Sequence, residues 1–135
     1  MQCPFCPPGL HDGRQEVLLE SALCLFFRQP QKVLAGSGCI IPKAHRETVF
    51  DLSPEEWRDS FALLRRAKAL IDAEHAPAGY NVGWNCGRSG GQSVFHAHMH
   101  VIPRFADEPY AGRGMRSWIK EEANRRPDTA AAGER

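Results

Sequence analysis

Three histidines stand at alternate positions in His96-Ala97-His98-Met99-His100-Val101-Ile102. On an extended strand alternate residues share a face, so the three imidazoles are expected on one side and Ala97, Met99 and Val101 on the other. Same-face neighbours then lie roughly 6.5–7 Å apart. The apolar row would pack on a core, and the imidazole row would line a cleft. Burying three adjacent histidines for structure alone would demand a polar partner for each. Two chemistries fit the row. Histidines separated by one residue can both bind zinc, and a neutral imidazole is a nucleophile near neutral pH.

Two neighbouring features bear on that choice. Gly90-Gly91-Gln92-Ser93 lies just upstream. Glycines let the backbone approach a ligand closely, and successive amides can cradle an anion. The Gln92 amide and the Ser93 hydroxyl add neutral donors, so the segment reads as a phosphate cradle as well as a turn. At the other end of the chain, Cys3-Pro4-Phe5-Cys6 is half of a zinc knuckle or a pair of free thiols. A tetrahedral zinc wants four ligands, and without a second Cys-x-x-Cys pair the remainder would have to be histidine.

These residues need elements to hold them. Glu16–Phe27 is rich in Val, Leu and Phe and predicts one or two strands, followed by a turn at Pro30. Cys39-Ile40-Ile41 predicts a short apolar strand before Pro42. Ser53 is a suitable N-cap, Pro54 suits the first helical position, and Glu56 completes a capping box. Trp57, Phe61, Leu64, Ala67 and Ile71 then recur at helical spacing and predict the core face of one long helix. Tyr80–Trp84 predicts a strand, Asn85–Gly91 a loop, and Val94–Ile102 a long strand stopped by Pro103. Gly114–Arg126 predicts a final helix. Paired strands around one long helix imply an α+β domain with a mostly antiparallel sheet.

The chain has 135 residues, 42% hydrophobic and 24% charged, which suits one globular domain. That domain is expected over residues 1–126, with the polar, alanine-rich 127–135 as a disordered tail. A formal net charge of +1 gives no bulk attraction to nucleic acid or membrane, so neither partner is expected. An odd number of cysteines, 5, without an apolar secretory segment argues against a disulfide framework and for a cytoplasmic setting. Cys24, Cys39 and Cys86 are expected to be small buried side chains, and His11 and His75 to be surface residues. Arg104, Arg113, Arg116, Lys120, Arg125 and Arg126 form either a solvated face or, through Arg113 or Arg116, a reach toward distal phosphates.

Gly91-Gln92-Ser93-Val94-Phe95-His96-Ala97-His98-Met99-His100-Val101-Ile102 resembles the signature of the histidine-triad superfamily. Ile40-Ile41-Pro42-Lys43-Ala44-His45 resembles its apolar strand ending in Pro-Lys-x-His, and Asn81-Val82-Gly83-Trp84-Asn85 the strand and asparagine before its glycine loop. Pro103-Arg104 resembles the bacterial and dinucleoside-polyphosphate hydrolase-like members. The likeness extends over roughly Cys3 to Arg104.

The resemblance implies a nucleotide hydrolase acting on a dinucleoside polyphosphate or nucleoside phosphoramidate, with a transferase using the same intermediate or a nucleotide-binding regulatory protein without turnover as the alternatives. It implies His98 as the nucleophile at the α-phosphate, with the His98 tautomer fixed by the His100 carbonyl. The His100 side chain would stand near the leaving group, and His96 would complete the catalytic triad. Gln92, Ser93 and Asn85 would contact the nucleotide, and Gln29 falls at the ribose-binding position. Ser37 stands where the family often has a supporting histidine. The zinc-bearing branches imply a structural Zn2+ on Cys3, Cys6, His45 and His96. A homodimer with the long helix near the interface is also implied.

Overall fold

The computed structural model describes residues 2–128; the expected tail beyond Asp128 lies outside the described residues. Five strands build one antiparallel sheet: β1 (Glu16–Glu20), β2 (Cys24–Arg28), β3 (Gly38–Pro42), β4 (Gly79–Trp84) and β5 (Met99–Arg104). Their spatial order is β1-β2-β3-β5-β4, so β5 inserts between β3 and β4. The long helix α1 (Pro54–His75) connects β3 to β4 and covers one face of the sheet.

The start of α1 follows from its sequence. The Ser53 hydroxyl accepts from the Glu56 amide at 3.0 Å, and the Glu56 carboxylate accepts from the Ser53 amide at 2.8 Å. Both bonds satisfy donors that the first helical turn leaves free. The helix ends at Ala76, which takes a left-handed conformation with φ 46°.

The buried stripe of α1 keeps the expected Ala67 and Ile71 but is displaced in its first half. Ser60, Leu63, Ala67 and Ile71 face the sheet, whereas Trp57 and Phe61 point outward at 53% and 58% exposure. The capping box explains the displacement: Glu56 is held buried by Ser53 and by Arg46, at 3.0 Å, which turns the next face of the helix outward.

Register sorts the sheet into two faces. Phe27 pairs with Cys39, Cys39 with His100, and His100 with Gly83, so one row crosses four strands. That row faces away from α1. The adjacent residues Phe26, Ile40, Met99 and Val101 pack against Leu63, Ala67 and Ile71 of α1. At the head of β3 a Cβ on Gly38 would stand 2.5 Å from the Phe26 ring and 2.6 Å from the Phe27 carbonyl, so the close approach of β2 and β3 requires glycine.

Two further expectations need correction. The strand expected over Val94–Ile102 is instead Met99–Arg104 and runs through Pro103. Pairing with β3 stops at Val101, so Pro103 lies beyond the end of that ladder and is tolerated. The final helix is short: α2 (Arg116–Ile119), followed by a single 3-10 turn at Glu122–Asn124. No helix among the described residues is long and apolar enough to cross a membrane.

Candidate active site and metal cluster

Because β5 begins only at Met99, the three histidines do not share one strand. His96 lies in a bend, His98 immediately before β5, and His100 within it. Each consequently has a different environment.

His96 is fully buried, and its Nε2–H donates to the Pro42 carbonyl at 2.9 Å. A carbonyl can only accept, so the proton sits on Nε2 and the Nδ1 lone pair is free. That Nδ1 lies 3.4 Å from Cys3 Sγ and 3.5 Å from Cys6 Sγ. His45 Nδ1 is 3.4 Å from Cys6 Sγ. One ligand atom from each of Cys3, Cys6, His45 and His96 falls within 4.8 Å of every other, a group suited to a metal ion. Burial, with the neighbouring Cys3, pushes the Cys6 thiol up to about 11. A bound cation would reverse that preference, because metal-bound sulfur is thiolate.

The Cys3–Cys6 knuckle has no regular structure but carries two anchors. Phe5 and Leu10 are buried with Leu25, Phe27 and Ile41 on the sheet face opposite α1. The Phe5 ring lies 5.0 Å from Phe27, 6.0 Å from His96 and 5.3 Å from His98, each measured between centroids. The knuckle therefore closes half of this face and abuts the histidines.

His98 is 6% exposed, and its Nδ1–H donates to the His96 carbonyl at 2.9 Å. This corrects the expectation that the His100 carbonyl would do so: the bend at His96 turns its own carbonyl back toward the His98 ring. In the neutral ring this contact puts the proton on Nδ1 and the lone pair on Nε2. The rings of His98 and His100 meet edge to face, 5.0 Å apart. Burial, with the neighbouring His98, pushes the His100 imidazole below its ordinary value, so it is neutral near pH 7.

The glycine loop is shaped by positive φ at Gly87 (77°) and Gly91 (95°). Gln92 is 3% exposed and inside this loop rather than projecting from it. Its amide oxygen accepts from Gly87 at 2.8 Å, and its amide nitrogen donates to Glu47 at 2.6 Å and Val94 at 3.0 Å. Ala97 N–H donates to the Arg46 carbonyl at 2.7 Å and ties the histidine segment to the chain after β3. Ser93 is exposed at the loop's end, and Asn85 is exposed beside Gly91.

Gln29 and Ser37 lie just outside β2 and β3, one two-residue step along the chain from Phe27 and Cys39. They line a cavity of about 320 Å³ with Arg14, Gln15, Arg28 and His75.

Arg104 is not part of a solvated basic face. It pairs with Glu108 at 2.8 Å, donates to Asn81, and holds the Tyr110 and Arg113 carbonyls. It thereby fastens the segment after β5 so that Met115 lies against Gly83, beside the row of His100. The Arg113 guanidinium stacks 4.9 Å from the Tyr110 ring centre. Sequence reasoning passed over Phe5, Cys39 and Arg104 as parts of the site. Cys39 was detectable from its alternation with the buried Ile41, whereas Phe5 carried no signal beyond its place between two cysteines.

The HIT domain family matches residues 12–107 of the chain. Over 118 residues the chain is 34% identical to the adenosine 5'-monophosphoramidase hnt1 of Schizosaccharomyces pombe, spanning 87% of this chain and 86% of that protein. It is 30% identical over 89 residues to the asymmetrical bis(5'-nucleosyl)-tetraphosphatase of the same yeast, spanning 66% of this chain but only 49% of that protein. The crystal structure of a HIT family member from Bacillus subtilis superposes with a TM-score of 0.71 at 34% identity, covering 79% of this chain and 76% of that one. The chain belongs to the HIT domain family.

Proposed function

We propose that the protein hydrolyses a nucleotide substrate at its α-phosphate through a covalent nucleotidyl-His98 intermediate. The observation that carries this reading is the bond from His98 Nδ1–H to the His96 carbonyl, which in the neutral ring leaves the Nε2 lone pair as the nucleophile. The His98 Nε2 pair forms the N–P bond as the bond from phosphorus to the leaving oxygen or nitrogen breaks. The leaving atom departs with that electron pair and takes up a proton. Water then attacks the phosphorus and frees the imidazole. A transferase would replace the water with another acceptor.

The relatives named as a monophosphoramidase and a tetraphosphatase support a nucleoside phosphoramidate or a dinucleoside polyphosphate as substrate. Ser93, Asn85 and the amides of the glycine loop would hold the phosphate oxygens, and Gln92 would act by fixing that loop. The nucleoside would extend along the histidine face toward Gln29 and Ser37. His96 would join the triad by supplying the carbonyl that orients His98.

The metal cluster supports zinc in a structural role. With Zn–S about 2.3 Å and Zn–N about 2.0–2.1 Å, a tetrahedron separates sulfur from nitrogen by about 3.6 Å, close to the 3.4 and 3.5 Å contacts of His96 and His45 with the cysteines. Four protein ligands leave no open coordination position, and His98 is not among them.

Rapid-quench mass spectrometry with adenosine phosphoramidate or a dinucleoside polyphosphate tests the mechanism. The expected result is a nucleoside-monophosphate adduct on His98. His98→Ala should lose turnover by about 10⁴-fold or more with its fold intact. A folded His98→Ala protein with normal turnover would reject the reading.

A homodimer is the partner this reading favours. β4 is an edge strand with Val82 exposed, and Trp57 stacks on its Trp84 at 6.1 Å beside the exposed Phe61. A second copy laid on this face would cover apolar surface that the monomer leaves in water. Light scattering should report a dimer for the wild type and a monomer for Phe61→Glu; a monomeric wild type at micromolar concentration excludes it.

A further inference from the structure

Cys39 and His100 are direct neighbours across β3 and β5, and their side chains touch. Cys39 Sγ lies 3.8 Å from His100 Nδ1, within hydrogen-bonding reach for sulfur. We propose that Cys39 is a positioning residue for the third histidine: its S–H donates to His100 Nδ1 and holds the proton of that imidazole on Nε2. The inference rests on the covalent His98 reading for its catalytic meaning, but the contact itself does not.

The direction of the bond follows from the two groups. Imidazole nitrogen is a good acceptor and thiol sulfur a poor one, so the proton is better placed between them when sulfur donates. Burial supports this direction by pushing the Cys39 thiol up to about 12, which keeps it protonated. The same burial keeps His100 neutral, with one nitrogen free to accept.

The consequence is a pair of adjacent imidazoles set in opposite tautomers. His98 has Nδ1–H tied to the His96 carbonyl and a lone pair on Nε2. His100, with its ring centre 5.0 Å away, has Nδ1 tied to the thiol and an N–H on Nε2. One ring offers electrons to phosphorus, and the other offers a hydrogen bond to an electron-rich leaving atom. If both presented lone pairs, the departing oxygen or nitrogen would meet a second lone pair in place of a donor.

Long-range proton–nitrogen correlation spectra of the imidazoles, taken on the metal-loaded resting protein, distinguish the tautomers without substrate. The wild type should show His100 protonated on Nε2. Cys39→Ser keeps a donor and should keep that tautomer. Cys39→Val and Cys39→Ala remove the donor and should give mixed tautomers, with kcat falling about fivefold, the ratio one neutral hydrogen bond sustains, and KM unchanged. Two apolar variants of different size separate a folding defect from a lost donor, and the serine variant should restore kcat. His100 protonated on Nδ1 in the wild type would overturn the proposal, as would an unchanged tautomer in both apolar variants. A wild type that forms no adduct on His98 would instead sink the proposed function, with the spectra still deciding the Cys39 contact.

Discussion

The same strands β2, β3 and β5 present two faces that are closed by different means. Toward α1, Cys24, Phe26, Ile40 and Val101 are fully buried beneath Leu63, Ala67 and Ile71 of a capped 22-residue helix. Away from α1, Leu25, Phe27 and Ile41 are covered by Phe5 of the knuckle and Leu10 of the 3-10 turn after it, with Cys3 and Val94 partly buried beside them. The row then continues as Cys39 and His100, which are half-buried. A helix brings its own backbone hydrogen bonds and can cover a face unaided. A dozen irregular residues cannot, and need a fastening such as a metal. The fold thus concentrates stability on one face and keeps the other partly open for chemistry.

The largest effect that could break this comparison is loss of the metal proposed for Cys3, Cys6, His45 and His96. Removing it with a chelator, or mutating Cys3 or Cys6 to Ser, should release the knuckle and cost about 5 kcal/mol or more. Elemental analysis should give about one zinc per wild-type chain and a marked deficit in Cys3→Ser. The helical circular dichroism should persist at low temperature, because the α1 face does not depend on the knuckle. A protein whose melting is indifferent to chelators would show that Phe5 and Leu10 close the second face by themselves.

The two faces were unequally legible in the sequence. The capping box at Ser53 and Glu56 is local chemistry, so the start of α1 could be read directly. The first half of the buried stripe could not, because Trp57 and Phe61 fit helical periodicity as well as Ser60 and Leu63 do. What decided between them was the burial of Glu56 by Arg46, a contact made across the fold. The grouping of Cys3, Cys6, His45 and His96 was legible because these residue types are chemically distinctive, although Cys3 and His96 are 93 residues apart. The histidine row does not form the strand expected of it. Alternation along Val94–Ile102 is consistent with extension, but the segment bends where His96 is drawn beneath the knuckle. That bend is also why the carbonyl orienting His98 comes from His96 and not from His100.

A smaller effect sharpens the comparison by striking one aromatic on each face. Phe26 is fully buried against α1, on the sheet face opposite Phe27; Phe5 is 5% exposed and packs on both His96 and His98. Phe26→Ala should cost about 3–5 kcal/mol, from lost transfer energy and the cavity left behind. Below its lowered melting point it should retain kcat. Phe5→Ala should cost less stability, about 2–3 kcal/mol, because an irregular knuckle can settle into the space more readily than a helix can. It should nevertheless lower kcat, since the ring that confines His98, the proposed nucleophile, is gone. Thermal melts and kcat measured on both variants test the division. Equal losses of stability with equal losses of activity would mean that the two faces form one cooperative core, and that the knuckle is no more separable from the sheet than α1 is.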